Sequence, residues 1–129
     1  MKSRDAVSRL KRFEVEEKQR NVAEIETMIG DFSQMAQDLD RQIAIEQERA
    51  GVSDTNHYAY PTFAKAAIQR RDNLLASTAD LEAKLSAARA TLAEAFEELK
   101  KIELLEERDA ERMKIEQARA AELNAVAGM

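Results

Sequence analysis

From Leu74 to Ile102 the apolar positions keep a strict beat. Leu74, Thr78, Leu81, Leu85, Ala88, Leu92, Ala95, Leu99 and Ile102 follow at alternating steps of four and three. That spacing is the 3.5-residue period of a coiled coil. Asp80, Glu82, Lys84, Arg89, Glu94, Glu97, Glu98, Lys100 and Lys101 fill the other faces. A helix with one narrow apolar stripe needs a partner, because its burial comes from packing and little from propensity.

A second stripe lies upstream. Val22, Ile25, Ile29, Phe32, Ala36, Leu39 and Ile43 step by three and four and predict a first helix over 3–48. Ser3 suits its N-cap and Asp5 its first turn. Before residue 20 the phase reads as broken, with Leu10 and Phe13 on a different face from Val15 and Val22, so a weak or shifted seam is expected there. Gly30 falls mid-helix, as a tolerated defect or a point of close approach by a partner.

The one aperiodic stretch is VSDTNHYAYPT. Gly51 suits a left-handed helix end, Ser53 to Asn56 are turn formers, and Pro61 fits the start of a new helix. The apex is therefore expected at 51–61. A second helix follows over 62–105, led in by Phe63, Ala67 and Arg71, and continues weakly to about 125, where Glu106, Asp109 and Glu116 interrupt the seam.

Two helices joined by a short apex pack antiparallel. The expected fold class is all-α: a long two-helix antiparallel coiled-coil hairpin with an overhanging C-terminal helix end, one coiled-coil domain over residues 1–129. A parallel homodimer is the alternative pairing. The hairpin needs no second copy, so a monomer is expected.

Composition supports long helices. Charged residues make up 35% and aromatics 5%, poor material for a rounded core, while the 44% hydrophobic residues fall in phase, which argues against disorder. The net charge of −5 is uneven: residues 1–20 hold seven Lys/Arg against four Asp/Glu, residues 51–73 three against two, and residues 21–50 and 74–129 are acidic. That balance speaks against nucleic acid. No cysteine is present, so disulfides and thiolate metal sites are excluded. No apolar run approaches the ~20 residues of a membrane span. The N-terminus is basic but lacks the apolar core of a secretory signal, and a cytoplasmic protein without direct membrane insertion is expected.

Catalytic chemistry is hard to assemble. Three glycines (Gly30, Gly51, Gly128) cannot build a phosphate loop. His57 is the only histidine, and His57 with Asp54 offers a metal too few ligands. Carboxylates lie on exposed faces with no concavity for a substrate. No enzyme, cofactor or metal is expected, and binding surface remains. One candidate is the apex: His57, Tyr58, Tyr60, Pro61 and Phe63 place three of six aromatics within six residues. They serve either as partner anchors or to close the hairpin on itself. The other is the open end, where folding back sets Arg9, Lys11 and Arg12 beside Lys100 and Lys101, with Glu97, Glu98 and Glu103 interleaved.

The N-terminal SRDAVSRLKRFEVEEKQR, the Tyr- and Pro-bearing apex and above all AFEELKKIELLEERDAER at 95–112 resemble FliJ proteins of alphaproteobacterial type. These are coiled-coil components of the flagellar type III export apparatus. The resemblance implies an antiparallel hairpin at the flagellar base. Its implied partners are the export ATPase hexamer, the cytoplasmic ring of the export gate and export chaperones. It assigns no individual binding residue. A structural tether or scaffold with no ATPase partner is the rival reading, and a nucleic-acid-associated hairpin a third.

Overall fold

A computed structural model describes residues 2–128, with side chains from residue 5 onward. It contains two α-helices, α1 (Lys2–Ala50) and α2 (Thr62–Ala127), and no strand among the described residues. The helix starts ahead of Ser3, whose side chain lies outside the described residues, as does its expected capping role. The chain divides into two compact units, residues 20–89 and residues 1–19 with 90–129. In each unit α1 and α2 run antiparallel, the arrangement expected of the hairpin.

The unit of residues 20–89 holds most of the apolar seam. Leu39, Ile43 and Ala67 form its buried cluster, with Ile68 and Leu74 against them. Val22, Ala36, Leu81 and Ala64 are buried too. Ion pairs confirm the direction: Arg71 reaches Asp40 at 2.9 Å and Arg89 reaches Glu26 at 3.7 Å. The residue numbers sum to 111 and 115, close to the ~112 that folding about the apex predicts. Arg71 occupies a seam position by laying its stem along the seam while its guanidinium reaches Asp40 and Asp72.

The lead-in to the second seam runs through Ala64 and not through the expected Phe63. Ala64 is fully buried, whereas Phe63, one position earlier, is 57% exposed. The beat 64, 67, 71, 74 carries the seam back to the apex, and it selects the small residue over the aromatic one. Gly30 faces open space, with nothing within 4 Å of where a Cβ would stand. No close approach among the described residues explains it, and it weakens the exposed face of α1 by about 1 kcal/mol relative to Ala.

The unit of residues 1–19 and 90–129 is built on Val15, Ala95 and Leu99, with Leu92 packed on them. The expected break of phase before residue 20 is not found. Ser8, Lys11, Val15 and Lys18 are all buried or half-buried and keep the beat of α1. Opposite them Ile102, Glu106 and Asp109 do the same for α2. Leu10 and Phe13 lie off this stripe and stay exposed. The seam here is polar rather than shifted: lysine stems cover apolar surface while their ammonium groups reach outward. From 110 to 127 α2 remains helical, but every residue is exposed, as is Gly128 after it. That stretch is the overhang.

Candidate functional site: the apex and the polar seam

The apex lies in the unit of residues 20–89. Gly51 takes φ +69°, the left-handed conformation that suits glycine, and donates its N–H to the carbonyls of Gln47 (2.9 Å) and Glu48 (3.2 Å). The Asp54 carboxylate accepts the Asn56 N–H at 2.9 Å, and its carbonyl accepts that of His57 at 3.1 Å. A second turn follows, with the Tyr60 N–H on the His57 carbonyl at 3.0 Å. The Pro61 carbonyl then accepts the Lys65 N–H and opens α2.

These turns separate the two tyrosines. Tyr60 is 6% exposed, and its hydroxyl accepts a hydrogen bond from Gln47 Nε2 at 2.8 Å. It ties the end of α1 to the start of α2, so the hairpin-closing alternative holds for this residue and it is removed from the exposed anchors. Tyr58 is 95% exposed and stacks on His57, with ring centroids 4.6 Å apart and planes 25° from parallel. The Ala59 N–H donates to His57 Nδ1 at 3.0 Å, which fixes the imidazole under the tyrosine ring. Phe63 is exposed and Pro61 half-buried. The apex thus presents His57, Tyr58 and Phe63, while Tyr60 supports it from within.

At the open end the five basic residues do not form one continuous rim. Lys11 donates to Glu98 at 2.9 Å and to Glu14 at 3.4 Å. The hydrogen bond from Lys11 holds the Glu98 carboxylate below its ordinary value, helped by the charges of Lys101 and Lys18, and the same bond raises Lys11. Glu98 therefore contributes stability above pH 4.5 that fades as pH falls through its lowered pKa. Lys11 contributes below pH 10.5, and that share fades as pH rises through its raised value. Both groups are solvated, so the contribution is small and salt-screened. Lys100 lines a separate shallow depression with Glu103, Leu104 and Glu107.

Arg9 and Arg12 line another depression, of about 270 Å³, with Asp5, Ser8 and Glu106. Ser8 is 1% exposed, and neither its Oγ nor Glu106 Oε1 has a hydrogen-bond partner among the described residues. Two polar groups thus sit on the seam where apolar ones would pack. Sequence reasoning missed them because it followed Leu10 and Phe13; extending the beat of Val22 upstream by four, three, four and three lands on Lys18, Val15, Lys11 and Ser8.

Among the described residues no group of three or more His, Asp or Glu could hold a metal ion. Nor, among these residues, is any helix long and apolar enough to cross a membrane. No family model, no curated protein and no solved structure matches the chain.

Proposed function

We propose that this chain is a non-enzymatic component of a flagellar protein export apparatus. In that role a helical hairpin couples the export ATPase ring to the export gate and assists delivery of subunits or chaperones. The reading rests on the resemblance of residues 95–112 to FliJ proteins, and the antiparallel pairing of α1 and α2 is compatible with it. The observation that carries it furthest is the apex, where the stacked His57 and Tyr58 lie over a tight turn with no core to account for them. The basic residues of α1 supply a second surface of different chemistry. Partner binding at a flagellar base, peripheral to the membrane, follows from this proposal. A tether or scaffold that uses the same apex without an ATPase is the alternative.

The ATPase contact is assigned to the open end. Arg9 and Arg12 are exposed and flank the Glu106 depression. Exposed charges of this kind steer encounter more than they add affinity, and they are screened beyond a Debye length of ~8 Å at physiological ionic strength. Arg9→Glu with Arg12→Glu is expected to slow association with the export ATPase at low salt, with the difference shrinking as salt rises. Helicity should be kept, because both side chains lie off the seam. Stopped-flow association at two salt concentrations tests this. Wild-type rates at low salt would remove the open end from the contact, and no binding of the wild-type chain at all would favour the tether.

A further inference from the structure

The overhang of α2 carries apolar side chains that nothing among the described residues covers. Met113, Ile115 and Leu123 are exposed, and Leu105, just before the overhang, is exposed as well. Propensity explains why these residues are helical, since Ala, Glu, Lys and Arg dominate the segment. It does not explain why large apolar residues recur among them. Arg108, Arg112 and Arg119 make no ion pair among the described residues, although Glu111, Glu116 and Glu122 stand on the same helix.

The order of these residues is self-complementary. Laid antiparallel on itself about Lys114, the segment places each residue against the one whose number completes a sum near 228. Leu105 then meets Leu123, and Arg112 meets Glu116, each pair occurring twice. Leu105, Arg112, Glu116 and Leu123 lie on one stripe, at steps of seven, four and seven. On one flank Arg108 comes opposite Glu122, and Ile115 meets its own copy at the two-fold axis. On the other flank Met113 meets its own copy. Opposite charges fall together and apolar residues fall together. A parallel alignment in register would set Arg112 against Arg112 and Glu116 against Glu116. These are the requirements of an isologous contact, in which residue i of one subunit touches j of the other and j touches i.

We propose that the overhang, together with the exposed face of α2 at Leu105 just before it, is a homotypic docking surface, on which a second copy of this chain pairs antiparallel through residues 105–123. The span is ~27 Å at ~1.5 Å per residue, so the contact is short. Its apolar residues hold it, while the Arg–Glu pairs set direction and register. The dimer is therefore weak and reversible, and it leaves the apex untouched. The inference is independent of the flagellar reading.

Sedimentation equilibrium of the full chain tests it. The apparent mass should rise from 14.6 kDa toward twice that value as concentration increases. Arg112→Glu sets like charges against Glu116 at both ends of the two-fold, and Glu116→Arg does the same with the opposite sign. Each variant alone should weaken self-association roughly tenfold or more. Mixed in equal amounts, the two should associate with one another, because every clash becomes an opposite-charge pair. The double variant Arg112→Glu, Glu116→Arg should self-associate like the wild type. The proposal is overturned if the wild type stays at 14.6 kDa throughout, if the single variants associate as it does, or if mixing them restores nothing.

Discussion

Replacing Ile43 by alanine is expected to destabilise the protein by about 3 kcal/mol, because the side chain is almost wholly withdrawn from water and a two-helix interface cannot close over the cavity. Ile43 lies with Leu39 and Ala67, and Ile68 and Leu74 complete the contact. No second layer of side chains stands behind them to move in. Phe13 is the control. It is larger than Ile43, yet it is 51% exposed and off the seam, so Phe13→Ala should cost about 0.5 kcal/mol or less. Urea melts of the two variants, read at unchanged slope, give the comparison. Equal losses would mean that the α1 seam does turn to the Leu10–Phe13 face and that the polar stripe of Ser8, Lys11 and Lys18 is misplaced.

The second large effect is expected at the apex, where two tyrosines two residues apart should behave in opposite ways. Tyr60→Ala removes a buried ring and strands the amide of Gln47, which together should cost about 3 kcal/mol. Tyr60→Phe keeps the ring and loses the hydrogen bond alone, at about 1 kcal/mol. Tyr58→Ala should leave the midpoint within about 0.5 kcal/mol of the wild type, because the ring buries almost nothing. The same substitution should weaken binding of the apex to its partner. Thermal melts and a pull-down against the candidate export partners measure the two properties separately. A melt shifted as much by Tyr58→Ala as by Tyr60→Ala would return both rings to a structural role.

Where apolar residues kept the coiled-coil beat, the sequence was readable to within a residue or two. Val22 to Ile43 and Leu74 to Ile102 were placed on the seam, and each is buried or half-buried. The reading failed where hydrophobicity and phase disagree. Upstream of residue 20 the large apolar residues Leu10 and Phe13 lie off the beat, and the seam passes through Ser8, Lys11 and Lys18. At the start of α2 the aromatic Phe63 likewise lies beside the seam while Ala64 occupies it. Position within the period decides burial here, and side-chain size only tunes it. The apex was located by its turn formers and its proline, but the different fates of Tyr58 and Tyr60 depend on turn geometry. Two overlapping turns point Tyr60 back at Gln47 and leave Tyr58 outside, and composition carries no signal of that.

The polar stretch of the seam also bears on how the molecule comes apart. In each unit the interior is a single file of side chains between two helices, so a given turn is held only by its neighbours. Such structures release by fraying along their length more readily than by one concerted event. Around Ser8, Lys11 and Lys18 the file contains groups that water solvates readily, so opening there uncovers apolar surface only at Val15 and the Leu92, Ala95 and Leu99 that pack on it. Around Leu39 and Ile43 opening uncovers a great deal. Amide hydrogens should therefore exchange fastest at the two chain ends and slowest between Ala36 and Ile43 and in the facing turns at Ala67 to Leu74. The turns of α1 around Ser8 and Lys11 and the turns of α2 around Ile102 and Glu106 can then separate and reclose many times while those around Leu39 and Ile43 stay paired.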